Sequence, residues 1–124
     1  MKTQITLLAL AVTSLSALAA DVSGTWKAEF NTQRGLQKYT FTLKQDGTKV
    51  TGKANVEREG EKREAELKEG KVEGETVTFV EALKFQDNDI RIVYTGTISG
   101  NEIKFTRKVG DFATEEFVAK RVKD

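Results

Sequence analysis

The 124-residue sequence contains no cysteine, no proline and no histidine. Without cysteine there is no disulfide and no lipid-modified cysteine. The joint absence of cysteine and histidine excludes the Ser-His-Asp and Cys-His nucleophile systems and the common zinc and copper sites. No P-loop, dinucleotide-binding or calcium-loop motif occurs either. We therefore expect a protein that is not an enzyme and that needs no metal or cofactor.

The first 19 residues have the pattern of a secretory signal peptide. Lys2 provides a positive charge, Ile5 to Leu18 is uncharged and mainly apolar, and Ala17-Leu18-Ala19 matches an A-x-A cleavage site. The apolar stretch is too short for a transmembrane helix. The alternative is a buried N-terminal helix. We expect removal of residues 1–19 and a secreted or periplasmic domain over residues 20–124, with no transmembrane segment.

Charge is balanced in the expected mature chain. Lys2 is the one charged residue among the first 19, so residues 20–124 carry 19 basic and 19 acidic side chains. A net charge of zero does not favour nucleic acid or an anionic membrane surface as a partner. A small domain without disulfides or metal needs an efficient core, and a closed sheet provides one.

Polar and apolar residues alternate along most of the chain, which is typical of β-strands with one buried face. Turn residues such as Asp46-Gly47, Gly100-Asn101 and Gly110-Asp111 separate the alternating runs. Eight runs predict an all-β, eight-stranded antiparallel up-and-down barrel, since an open sheet would leave unpaired edges. The runs are DVSGTWKAEF, QKYTFTLKQ, KVTGKANVE, EKREAELKEG, TVTFVEALKF, DIRIVYTGTIS, NEIKFTRKV and ATEEFVAKRV.

The fourth run is the least regular. Between Glu57 and Glu75 there are eight glutamates and five basic residues, and Ala65 and Leu67 are the inward pair. The spacing is also compatible with a short helix. Because three glycines interrupt the segment, we favour a charged, poorly buried edge hairpin.

The first strand carries Gly24-Thr25-Trp26. This motif resembles the G-x-W signature of the lipocalins and the wider calycin group, in which the tryptophan plugs the closed end of the barrel. In that group a basic residue of the last strand lies across the indole. The resemblance implies that Trp26 is a structural plug and that Arg121 is its partner, through a cation–π contact.

Two further resemblances concern longer stretches. SGTW followed by DGTKVTGKA is similar to the opening of avidin and streptavidin, but the additional tryptophans of that biotin pocket are absent. FTLKQDGTKVTGKA and YTGTISGNEIKFTR are similar to lipocalin-like modules of secreted bacterial proteins, some of them joined to polysaccharide-degrading hydrolases and esterases. This similarity implies carbohydrate as an alternative ligand.

Three charged residues and one tyrosine fall in inward positions of the last four strands. With a four-residue loop at 86–89, Glu81 faces Tyr94; with a two-residue turn at 100–101, Tyr94 faces Arg107. A three-residue loop at 110–112 then places Glu115 opposite Arg107. Tyr39 is inward on the second strand. We therefore expect one polar row across the barrel interior.

This row has two interpretations. It is either an internal network of paired charges, or the polar wall of a cavity in which Arg107 holds a carboxylate or another anion. Gly52, Ala54 and Gly96 are small inward residues that either leave room for a ligand or admit the neighbouring aromatic rings.

The function expected from these patterns is non-catalytic binding of a small amphipathic or anionic molecule inside the barrel. The candidate ligand-binding residues are Tyr39, Glu81, Tyr94, Arg107 and Glu115. The alternative is a carbohydrate-binding or protein-docking accessory module, with Phe85 or Phe112 as exposed aromatics; a purely structural envelope protein is the third. Outward apolar residues predict a homodimer contact, namely Val80, Ala82, Val93, Val118 and Val122.

Overall fold

The computed structural model describes residues 21–32, 35–85 and 87–122, and the predicted signal peptide over residues 1–19 lies outside these ranges. The described chain forms eight antiparallel strands, each hydrogen-bonded to the next, with β8 paired to β1 in a closed barrel. The predicted all-β up-and-down barrel is confirmed. The strands are β1 (Gly24–Thr32), β2 (Gly35–Asp46), β3 (Lys49–Arg58), β4 (Glu61–Glu73), β5 (Thr76–Phe85), β6 (Asn88–Ser99), β7 (Glu102–Val109) and β8 (Ala113–Arg121).

The alternation in the sequence sets which side chains enter the barrel. Successive side chains of a strand point to opposite faces, so every second residue lies inside. On β2, for example, Tyr39, Phe41 and Leu43 are buried, whereas Lys38, Thr42 and Lys44 are exposed or outward. The inward residues of all eight strands form one continuous core.

The segment from Glu57 to Glu75 is a β-hairpin region and not a helix. The interpretation of β4 as an edge strand is wrong for its C-terminal half, because this half lies between two partners: the ladder to β5 runs from Leu67 to Glu73 with a register shift, and the ladder to β3 continues to Lys71. The N-terminal half differs: in the described ladders Glu61–Glu66 pairs with β3 alone. The charged sequence of this half therefore borders an opening in the wall.

The β1–β8 and β4–β5 ladders are much shorter than the strands that form them. Between β1 and β8 the described ladder consists of Trp26↔Arg121 and Lys27↔Lys120, and between β4 and β5 it ends at Leu67↔Glu81. Both unpaired stretches lie at the same end of the barrel, four strands apart. The wall is consequently splayed at this end, which we call the mouth, and closed at the other.

Trp26 closes the narrow end. Its side chain is fully buried, and its indole N–H donates to the carbonyl of Val22 at 2.9 Å. The guanidinium carbon of Arg121 lies 4.3 Å from the centre of the Trp26 ring. The same guanidinium donates to the carbonyls of Ser23 at 2.6 Å and Asp21 at 2.9 Å. One side chain of β8 thus covers the indole and ties down the segment that precedes β1.

We predict that Arg121→Gln lowers the free energy of unfolding by about 1–2 kcal/mol, because it removes the cation–π contact and two hydrogen bonds to carbonyls. The measurement is urea unfolding followed by the fluorescence of Trp26, the single tryptophan. Lys120→Gln, which changes the neighbouring exposed residue, is the control and should stay within about 0.5 kcal/mol of the wild type. Equal stability of both variants would show that Arg121 does not hold the closed end.

Candidate functional site

Aromatic rings fill the closed end and the middle of the barrel. Eight aromatic residues on the inward faces of the strands are buried: Trp26, Phe30, Tyr39, Phe41, Phe79, Tyr94, Phe105 and Phe117. The small inward residue Gly96 does not leave a chamber beside these rings. A Cβ atom on Gly96 would lie 2.5 Å from a methyl of Ile103 and 2.7 Å from the Phe105 ring. The glycine is therefore needed to admit its neighbours, and the room it leaves is taken.

Free space is found above this aromatic layer, at the mouth. A cavity of about 590 Å³ opens there, within the size range of small-molecule pockets. Six of its lining residues are apolar: Val56, Leu83, Ile90, Val109, Phe112 and Ala113. Four cationic and two anionic side chains complete the charged part of the lining: Arg58, Lys62, Arg63, Arg107, Glu61 and Glu115. The cavity thus combines an apolar wall with an excess of positive charge.

The strand register at the β5–β6 hairpin differs from the prediction. The ladder continues to Phe85↔Asn88, so two residues connect the strands and not four. Asp87 adopts a φ of 67°, the left-handed conformation that such tight hairpin turns require. Glu81 consequently pairs with Ile92, and Tyr94 pairs with Phe79.

The other two predicted pairings of the row are confirmed. Tyr94 lies opposite Arg107, and Arg107 lies opposite Glu115. Despite the shifted register, the Tyr94 hydroxyl donates to the Glu81 carboxylate at 2.7 Å, across a diagonal of the β5–β6 ladder. Long side chains bridge such diagonal neighbours within a sheet, so the expected cluster forms.

Six side chains form a continuous belt of polar contacts across the barrel, and we call it the polar belt. Arg107 donates to the hydroxyls of Tyr94 and Tyr39, each at 3.0 Å, and to the Glu115 carboxylate at 2.5 Å. At the other end of the belt, Glu81 accepts from Tyr94 and Tyr39. The belt consists of Tyr39, Arg63, Glu81, Tyr94, Arg107 and Glu115, one residue from β2 and one from each of β4 to β8.

Arg63 is a belt residue that the sequence analysis missed. Its guanidinium forms an ion pair with Glu81, at 2.7 Å, and a hydrogen bond of 3.3 Å to the Tyr39 hydroxyl. A signal was present in the sequence: Arg63 is two residues before Ala65 and four before Leu67, so it shares their inward face. The concentration of charge around it obscured that alternation.

Burial and mutual contacts shift the pKa values of the polar-belt residues. The pKa of Tyr39 is raised, and the pKa of Tyr94 is raised well above 10. Burial is the largest cause of both shifts, and the negative charge of Glu81 adds to each. Burial opposes the charged form of Arg63, but the charge and hydrogen bond of Glu81 outweigh it, so the pKa of Arg63 is raised. Both phenols are therefore protonated and both guanidinium groups charged near neutral pH.

The two belt arginines differ in access to solvent. The Arg107 side chain is 5% exposed and all three nitrogens of its guanidinium donate within the belt. The Arg63 side chain is 37% exposed, while its carboxylate partner Glu81 is completely buried. Among the described residues, no buried side-chain polar atom lacks a hydrogen-bond partner.

The residues predicted to contact a partner protein or a sugar do not all lie on the surface. Val80 faces outward but is 7% exposed, so neighbouring side chains already cover it, whereas Val118 and Val122 are exposed. Phe112 is 78% exposed at the rim of the mouth. The side chain of Phe85 lies outside the described part of the structure.

No protein-family model, curated protein or solved structure gives a significant match to the chain. The architecture is compatible with a calycin-like barrel on its geometry alone. In the described part of the chain, no helix is both long and apolar enough to span a bilayer. The same residues contain no group of three or more acidic side chains suited to a metal ion.

We predict that the two phenols resist ionisation at alkaline pH. Tyr39 and Tyr94 are the only tyrosines, so the tyrosinate absorbance of the protein reports on the polar belt alone. Because their pKa values are raised in the folded protein, the tyrosines of the unfolded chain ionise first, at about pH 10. The free energy of unfolding is therefore unaffected by these groups below about pH 10 and falls as the pH rises beyond it. Tyrosinate should therefore appear together with loss of Trp26 fluorescence, as the barrel unfolds. Ionisation near pH 10 in a protein that stays folded would contradict the buried belt.

Proposed function

We propose that the protein is an exported, non-catalytic, calycin-like binding protein that holds a small amphipathic anion in the mouth of its barrel. The observation that carries this proposal is the mouth cavity, in which apolar side chains lie beside an excess of cations and Arg107 lies at the base. The export component rests on the signal-peptide pattern of residues 1–19. It implies a secreted or periplasmic location.

The distribution of lining residues favours an amphipathic ligand. Leu83, Ile90 and Val109 are partly buried hydrophobic residues that pack on the core, so they offer an apolar wall which remains in part accessible. Burial of an alkyl chain against such a wall stabilises a complex by about 25 cal/mol per Å² of apolar surface. Cationic side chains at the same site favour a carboxylate or a similar headgroup.

The polar belt serves both of the interpretations considered for the interior row. Tyr39, Glu81 and Tyr94 form an internal network beneath the cavity. Arg107 and Glu115 also line the cavity itself. A ligand would therefore rest on the polar belt and would not enter the aromatic layer below, where Gly96 marks how closely the rings pack.

The alternative is an accessory module for carbohydrate or protein docking, associated with secreted hydrolases. One exposed aromatic ring, Phe112, supports it, together with the exposed Val118 and Val122 as a homodimer or partner contact. Sugar-binding surfaces commonly stack more than one ring on the ligand. We rank this function second because Val80, one of the predicted patch residues, is covered.

Binding of dodecanoate, measured by isothermal titration calorimetry, tests the primary proposal. Ala113→Trp places an indole in the cavity and should weaken dodecanoate binding at least about tenfold, equivalent to about 1.4 kcal/mol. Ala82→Trp is the matched control, because Ala82 is exposed on the outer face of β5 and should bind as the wild type.

Native mass spectrometry of protein purified from its own envelope identifies any retained natural ligand. A retained amphipathic anion that Ala113→Trp no longer carries would support the mouth as the site. Unchanged dodecanoate affinity in Ala113→Trp, or no binding of amphiphiles by the wild type, would overturn the proposal.

A further inference from the structure

We propose that Arg63, and not the more deeply placed Arg107, makes the direct contact with the ligand's anionic group, and that Glu81 occupies this position on Arg63 in the free protein. On this view the Glu81 carboxylate is an internal substitute for the ligand anion, which displaces it from the guanidinium. The inference rests on the proposed function and assigns the specificity of the same cavity to one ion pair.

Every nitrogen of the Arg107 guanidinium already donates one hydrogen bond within the belt. Its Nε donates to Tyr94, one Nη to Glu115 and the other to Tyr39, and its side chain is almost fully buried. The guanidinium carbon also lies 5.4–5.8 Å from three aromatic ring centres, those of Phe30, Tyr39 and Tyr94. A ligand that took over any of these three hydrogen bonds would break a contact within the belt.

Arg63 is placed differently in each of these respects. Its side chain lines the cavity and is more than a third exposed. It lies on Glu61–Glu66, the half of β4 without a described ladder to β5. The Arg63–Glu81 ion pair thus spans the opening between these strands through side chains alone. Turning the guanidinium toward the cavity breaks no backbone hydrogen bond.

Glu81 keeps other partners if Arg63 turns away. One carboxylate oxygen accepts from the hydroxyls of Tyr94 at 2.7 Å and Tyr39 at 3.4 Å, and only the second oxygen contacts Arg63. A carboxylate that retains two hydroxyl donors remains partly compensated in the barrel interior. Exchange of Glu81 for a ligand carboxylate on Arg63 then replaces one ion pair with another of the same kind.

The first variant removes the proposed contact. Arg63→Gln should weaken dodecanoate binding about tenfold or more, since a hydrogen bond to a charged group is lost, and should leave binding of dodecan-1-ol unchanged. Arg91→Gln is the matched control: Arg91 also pairs with a β4 glutamate, Glu69 at 2.8 Å, but outside the cavity. It should bind both amphiphiles as the wild type.

The second variant removes the competitor and predicts a change of opposite sign. Glu81→Gln retains a hydrogen-bond acceptor for Tyr94 but leaves Arg63 without its counter-ion. Dodecanoate affinity should therefore rise about threefold or more, while dodecan-1-ol affinity stays the same. A merely structural role for the Arg63–Glu81 pair would lower stability in both variants and would not raise affinity for an anion.

The outcomes separate this inference from the proposed function. If Ala113→Trp abolishes dodecanoate binding but Arg63→Gln binds as tightly as Arg91→Gln, the mouth is the site and Arg63 does not hold the anion. An unchanged or lower dodecanoate affinity in folded Glu81→Gln would overturn the role of Glu81 as an internal substitute. If Glu81→Gln does not fold, the comparison of Arg63→Gln with Arg91→Gln decides the assignment of Arg63.

Discussion

The carboxylate of Glu81, fully buried inside an eight-stranded barrel, is the constraint around which the interior is arranged. An isolated buried charge costs several kcal/mol, so it must be compensated by hydrogen-bond donors or by a charge of opposite sign. Its partners come from three other strands: Tyr39 on β2, Arg63 on β4 and Tyr94 on β6. Compensation of one charge therefore fixes the relative positions of both halves of the barrel.

The polar belt lies where the β4–β5 and β1–β8 backbone ladders end, so side chains and not backbone hydrogen bonds close the wall at the mouth. Toward the closed end the wall is a continuous ladder, sealed by Trp26 and Arg121. Toward the mouth, side chains take over: the Arg63–Glu81 pair spans β4 and β5, and the Phe30 and Phe117 rings stack at 4.3 Å near the β1–β8 junction. Side-chain contacts can rearrange without breaking backbone hydrogen bonds between strands, so we expect changes of conformation to occur mainly at the mouth.

The sequence predicted the barrel well because period-two alternation depends on local chemistry that every strand repeats. It also predicted the pairing of Tyr94 with Arg107, since the Gly100-Asn101 turn admits one short geometry. It failed at the β5–β6 hairpin, where the choice between two and four connecting residues depends on the conformation of Asp87. Arg63 was missed because a dense run of charges concealed its inward position. The location of free space was not predictable, as it depends on how the aromatic rings pack in three dimensions.

Competition between Glu81 and a ligand anion for Arg63 gives the Arg63–Glu81 ion pair a role beside the cavity that does not depend on its contribution to stability. A neutral headgroup cannot replace the carboxylate of Glu81 on Arg63, because it offers a weaker acceptor and no charge. An anion can, and the exchange leaves the number of ion pairs unchanged. Affinity for an anion is then reduced by the internal competitor, whereas affinity for a neutral amphiphile, which does not exchange with Glu81, is unchanged. Buried pairs contribute little net stability, so the pair's value would lie in compensating the charge of Arg63 and holding its guanidinium at the mouth until an anion binds.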